Sequence, residues 1–218
     1  MKKVLSWMSV GGVALLVLCA VALNSGCKKA VDRDAAELIE DTPDRTTVER
    51  PQPEGPETQY FLTPETRLDF VGYKVGGSQK GSFLMFDGDI TLYGDDPATA
   101  EIYVLIVMES LLAEYAGLTP ILKDERFFDT ANYPDGEFTS AEVVQTDDGY
   151  TIVGDLTLMD TTRRISFPAE ITLDDGMLRI QADFQVDRTW WGLTFKGVGD
   201  HIMRDRVDII IDAYAEAL

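Results

Sequence analysis

Thiols, imidazoles and cations are scarce in this chain, and each shortage removes a class of function. Cysteine occurs only at Cys19 and Cys27, so everything beyond residue 27 lacks a disulfide framework and a cysteine metal site. His201 is the one histidine. Without a second histidine or a partner cysteine it offers neither a zinc ligand set nor a triad, and it reads as a surface or turn residue. No Gly-x-Ser-x-Gly, phosphate loop or dinucleotide fingerprint is present. Adjacent carboxylates say little in a chain with 38 acids. Nothing positive supports an enzyme, a metal or a cofactor. Against those acids stand 19 Lys and Arg, a formal charge of −19. Removing the stretch through Cys27 deletes Lys2 and Lys3 and no acid, leaving 17 − 38 = −21. Such a surface repels nucleic acid and anionic headgroups, and its simplest consequence is solubility.

What is present begins with an export segment, residues 1–27. Lys2-Lys3 precede an apolar run from Val4 to Leu23, then Asn24-Ser25-Gly26-Cys27. Ser-Gly-Cys points to a lipoprotein site, with Cys27 acylated as the mature N-terminus. Asn24 stands where such sites usually carry Leu. The alternative is an uncleaved anchor, since about 20 apolar residues can span a bilayer. Either reading tethers the chain to a membrane and puts the domain outside the cytoplasm, at the periplasmic face of a bacterial membrane if the lipoprotein reading holds.

Residues 28–58 hold four of the nine prolines and no aromatic residue. That composition predicts a disordered acidic spacer, with at most one helical turn at Ala35 to Glu40. Residues 59–218 form the folded domain.

In the domain the dominant signal is period two. Leu68 and Phe70 open an apolar face, and Gly81 to Gly88 follows, with Phe83 between glycines that suit a bend or a close backbone approach. Tyr150, Ile152, Gly154, Leu156 and Leu158 share one strand face. Ile165, Phe167, Ala169, Ile171 and Leu173 share another, as do Leu178, Ile180, Ala182, Phe184 and Val186. Val207, Ile209, Ile211 and Ala213 close the chain in the same rhythm. Asp147-Asp148-Gly149 and Asp174-Asp175-Gly176 signal hairpins. Asp87-Gly88-Asp89 is also read as a turn; none of the three has EF-hand spacing. Ile102 to Leu111 is apolar on both faces, which predicts a covered outer face. The helix expected from Pro120 to Asp129, N-capped by Thr119, is the natural cover. Eight strands and one short helix make an all-β domain, and strands this numerous avoid exposed edges by closing into an antiparallel barrel.

One stretch carries more specific information: Phe127-Phe128-Asp129, then Tyr133-Pro134, then Phe138-Thr139-Ser140, then Gly154-Asp155-Leu156-Thr157-Leu158. In content and order this resembles the YceI-like family, and the resemblance covers roughly Tyr60 to Ala217. It implies an eight-stranded lipocalin-like barrel that binds a polyisoprenoid lipid. The family usually continues with His-Gly where this chain has Met159-Asp160, so no role of that histidine transfers. Trp190-Trp191 stand where the family often has Asp-Phe.

The inward faces supply Leu68, Phe70, Phe83, Phe138, Ile152, Leu156, Leu158, Ile165, Phe167, Ile171, Leu178, Ile180, Phe184, Val186, Val207 and Ile209 as candidate ligand contacts. Phe128, Tyr133, Trp190 and Trp191 are candidates for a pocket mouth, because an indole suits a position with one apolar and one wet end. A hollow barrel would take a long-chain isoprenoid or acyl lipid, each buried methylene contributing about 0.8 kcal/mol. A filled barrel would show the same alternation and would instead be an interaction module. A homodimer is compatible with either and specified by neither.

Overall fold

Alternating side chains become antiparallel sheet throughout a computed structural model that describes residues 34–39, 54–195 and 203–217. The expected export segment with Cys19 and Cys27, most of the expected spacer, and His201 lie outside the described residues. The strands are β1 (Glu37–Leu38), β2 (Glu57–Leu62), β3 (Arg67–Lys74), β4 (Gly77–Phe83), β5 (Phe86–Tyr93), β6 (Glu101–Val107), β7 (Leu111–Ala113), β8 (Asp135–Thr146), β9 (Gly149–Leu158), β10 (Thr161–Asp174), β11 (Met177–Asp187) and β12 (Met203–Ala217). Among the described residues there is one α-helix, α1 (Thr119–Lys123).

Three pairs of these segments are the two halves of one bent strand: β2 with β3, β4 with β5, and β6 with β7. With β8 to β12 they make eight strands, each paired with its neighbours in chain order. The ring closes because β12 pairs with β11 on one edge and with both β2 (Ala215↔Leu62) and β3 (Ile211↔Leu68) on the other. The result is a closed eight-stranded antiparallel barrel.

The bends have local causes. Between β2 and β3 a side chain takes over the ladder: Thr66 Oγ1 accepts from Tyr214 N at 2.9 Å and donates to Tyr214 O at 3.0 Å. Between β4 and β5, Ser110 Oγ accepts from Leu84 N and Met85 N at 3.1 and 2.9 Å. The same Ser110 ends the 3₁₀ turn Met108–Ser110 that divides β6 from β7, so both strands bend at one place. At the β10–β11 hairpin Asp175 and Gly176 have φ of 48° and 81°, the left-handed pair that a two-residue turn of matching twist requires.

Several expectations are corrected. The helix ends at Lys123 rather than Asp129, because the Asp124 carboxylate accepts from Arg126 N at 3.1 Å and turns the chain. Thr119 is not the N-cap; its hydroxyl accepts from Ala113 N at 3.0 Å. Nor does α1 cover the outer face of Ile102 to Leu111, where Tyr103 stays exposed. Instead Leu122 packs with Leu111, Ala113, Phe127 and Leu193 over one end of the barrel. Asp87-Gly88-Asp89 lies inside β5, not in a turn: a side chain at Gly88 would strike the Tyr103 carbonyl of the paired strand.

The largest correction concerns the expected spacer. β10 and β11 pair directly only from Glu170↔Gln181 to Asp174↔Met177. Beyond that they splay, and residues 34–39 enter the seam. Glu37 and Leu38 pair with Ser166 and Ile165, while Ala35 bridges Gln185. Ala36 N donates to Gln185 O (2.7 Å), Gln185 N to Asp34 O (3.0 Å), and Ile39 N to Arg164 O (2.9 Å). Ala36, 6% exposed, joins the core. Unpaired strand edges are strong templates, and here they override a weak local helical preference.

Candidate ligand cavity

The inward faces do not fill the barrel. They enclose a cavity of about 660 Å³ whose wall is almost wholly apolar, within the range of small-molecule sites. Ile90, Ile102, Ile152, Ile180 and Ala213 line its deep end. At mid-height Phe167 stacks on Phe184, centroids 4.2 Å apart and planes at 11°, and Phe138 leans on Phe167 at 5.8 Å. Two glycines make room for this layer and the one above it. The Phe138 ring lies over Gly154 and the Phe70 ring over Gly81, where any Cβ would collide. Nearer the opening come Phe83, Leu118, Leu122, Phe127, Phe128, Leu193, Phe195 and Met203.

Of the sixteen interior candidates, Leu68, Phe70, Phe83, Phe138, Ile152, Leu156, Leu158, Ile165, Phe167, Ile180, Phe184, Val186, Val207 and Ile209 line the cavity. Ile171 and Leu178 do not. They are buried beneath its deep end, beside the β10–β11 turn, where Leu178 pairs with Leu173 and Ala215 in solid core.

The four mouth candidates separate. Phe128 lines the cavity. Trp191 lines it too, but from within: it is 1% exposed, and its Nε1 donates to Leu156 O at 2.9 Å. Trp190 packs against Trp191 without reaching the cavity, and its carbonyl accepts from Arg163 Nε at 2.8 Å. Tyr133 also stays away from it; its amide donates to Asp129 O at 2.9 Å and closes the turn before β8.

Sequence reasoning missed the contribution of β5 and β6: Phe86, Ile90, Ile102, Val104 and Ile106. Their alternation was available, although in Ile102 to Leu111 apolar residues on the other face obscure it. It also missed Arg188. This guanidinium is 3% exposed and donates to Leu193 O, to Arg204 O (3.1 Å) and to Asp205 Oδ1 (3.1 Å). Burial holds it below the usual arginine range, although Asp205 and Asp187 pull the other way. It opens the Arg188-Thr189-Trp190-Trp191-Gly192 run where the family often reads Arg-x-Asp-Phe-Gly, the one signal that could have found it.

Among the described residues the charged ones that line the cavity are Arg67, Lys74, Arg126 and Arg188. Among the described residues no group of three or more His, Cys, Asp or Glu could hold a metal, and no helix is long and apolar enough to cross a membrane. What this arrangement can do is exclude water from an apolar molecule.

Comparison with known proteins follows the same line. The YceI-like domain matches residues 61–215. A UPF0312 protein of Photorhabdus laumondii is 35% identical over 106 residues, 47% of this chain and 55% of that protein. One of Yersinia enterocolitica is 32% identical over 108 residues, 50% of this chain and 55% of its own length. The matched stretch thus spans about half the length of these relatives. Among solved structures, Burkholderia cenocepacia BcnA superposes with a TM-score of 0.60 at 18% identity, covering 69% of this chain and 96% of that one. A polyisoprenoid-binding domain from Saccharophagus degradans gives 0.58 at 15%, covering 75% and 100%. At such identities the likeness shows the fold.

Proposed function

Since the chain belongs to the YceI-like domain family, we propose that it binds a long-chain lipid, of isoprenoid or acyl type, inside the barrel and holds or carries it outside the cytoplasm, tethered to a membrane through its N-terminal segment. The observation that carries this reading is the cavity itself. A wall mostly of Ile, Leu, Phe and Val around about 660 Å³ presents an almost wholly apolar surface, which favours an apolar ligand over a hydrophilic one. An apolar chain gains about 0.8 kcal/mol for each methylene withdrawn from water, offset by its lost flexibility. The polyisoprenoid-binding description of the Saccharophagus domain points the same way for the ligand class. Binding is the activity we assign, because the lining is built for apolar contact. The membrane tether rests on Lys2-Lys3, the apolar run and Ser25-Gly26-Cys27.

Native mass spectrometry of the protein released gently from its own membrane, without detergent exchange, is the test. A co-purifying mass matching a long-chain lipid is expected. A ligand-free protein, with no uptake of added isoprenoid lipid, would overturn the reading in favour of an interaction module.

A further inference from the structure

The strand order sorts the connections to two ends of the barrel, and the two ends differ in kind. One end carries the β5–β6 loop with Asp95 and Asp96, the β8–β9 turn with Asp147 and Asp148, and the β10–β11 turn with Asp174 and Asp175. No Lys or Arg stands in those three connections. The other end, where the cavity opens, carries the β3–β4 turn, the β7–β8 connection with α1, and residues 188–195 after β11. Here cations are mixed with acids: Lys74 and Arg126 border the cavity, and Asp124 holds Arg126 Nε at 2.6 Å. This same end exposes large apolar side chains. Val75 at the tip of the β3–β4 turn is 67% exposed, Tyr115 is 66% and Ile121 is 41%, and the last two border the opening.

Resting on the lipid-binding reading above, we propose that the open end docks onto the surface of a phospholipid bilayer, with Val75, Tyr115 and Ile121 entering the interface. Amphipathic and apolar side chains of this kind are stabilised at the headgroup boundary. Charge asymmetry sets the orientation. An anionic surface repels the acidic β5–β6, β8–β9 and β10–β11 connections, whereas the open end approaches it near neutrality with Lys74 foremost. Strands of about eleven residues keep the two ends on the order of 25 Å or more apart, several Debye lengths at physiological salt, so the acidic end does not oppose docking once the open end is down. An apolar cargo then passes between bilayer and cavity without crossing water.

The test uses the full chain reconstituted in vesicles of phosphatidylethanolamine and phosphatidylglycerol, read by amide hydrogen exchange. Wild type is compared with Val75→Asp at the rim and with Val144→Asp, an exposed apolar position on the outer wall of β8. Slow exchange is expected in the β3–β4 turn and from Tyr115 to Lys123 in wild type and in Val144→Asp, with at least tenfold faster exchange from Tyr115 to Lys123 in Val75→Asp. Equal exchange in all three, or vesicle protection at the Asp147 and Asp174 turns, would overturn the proposal. Bound lipid is measured on the same samples. Lipid retained without rim protection sinks docking alone, and rim protection without lipid sinks the carrier reading while docking stands.

Discussion

Ala213→Phe separates a hollow barrel from a solid one. Ala213 sits on β12 opposite Ile180, faces the deep end of the cavity and is almost fully buried. In a filled core an added ring forces off-rotamer neighbours, at a cost of about 1–3 kcal/mol. For a domain of this size each kcal/mol moves Tm by about 2–4 °C, so a solid barrel would lose roughly 2–12 °C. In the structure described above the ring has open space beside Ile180, and the ligand-free variant should melt within about 2 °C of wild type. The lipid bears the loss instead. A ring that displaces three or four methylenes removes about 3 kcal/mol at 0.8 kcal/mol each, a drop in affinity of roughly a hundredfold. Differential scanning calorimetry of delipidated protein, with displacement of a fluorescent isoprenoid probe, reads both quantities. A fall in Tm near 10 °C with probe affinity unchanged would refute the cavity and the reasoning built on it.

Three further outcomes follow from the geometry. A chain beginning at Glu54 lacks the segment in the β10–β11 seam, with its β1–β10 ladder, the three backbone hydrogen bonds flanking it and the buried Ala36. It should lose about 2–4 kcal/mol and on the order of 5–15 °C in Tm; a shift under 2 °C would show that the segment contributes nothing. Trp191→Phe leaves Leu156 O without its buried donor and should cost about 1–3 kcal/mol in urea unfolding, whereas an unchanged midpoint would mean that the hydrogen bond carries no net stability. Asp212 is held below the usual carboxylate range, first by the hydrogen bonds from Arg179. Its contribution is therefore complete above about pH 4 and is lost as pH falls through the depressed folded-state value. Asp212→Asn should flatten that acid limb and cost less than about 1 kcal/mol at pH 7, because both partners are about one-third exposed.

The sequence made β9, β10 and β11 legible because each is apolar on one face only, so one face had to be the interior. β6 was harder. With Leu105 and Val107 alternating among Ile102, Val104 and Ile106, both faces read alike, and only the partner strands show which side is inward. The helix was overextended because Pro120 and the following Leu122 give a good start, while its end depends on Asp124 choosing Arg126 N over continued helix. Trp191 looked like a rim residue for a sound reason, an indole N–H needing a partner. That partner proved to be a buried carbonyl rather than water. Residues 34–39 carried no readable signal, since the edges they occupy exist only once β10 and β11 have splayed.

That last segment also sets a length. A spacer running freely from Cys27 to Thr58 would give 58 − 27 = 31 residues, up to about 100 Å of reach when extended. With Asp34 bonded to Gln185 on the barrel wall, only 34 − 27 = 7 residues of chain separate it from Cys27, a span of at most about 25 Å. From Asp34 the docked stretch runs toward the open end for five residues, about 17 Å along the wall at 3.3 Å per residue. With the tether proposed at Cys27, the barrel rides on a short mooring. On that proposal its distance from the bilayer is bounded by those seven residues. Search for the membrane is thereby confined to a shell a few nanometres deep, which for a tethered site corresponds to millimolar effective concentrations. A weak apolar rim suffices at such concentrations, where a freely diffusing protein would need a strong one.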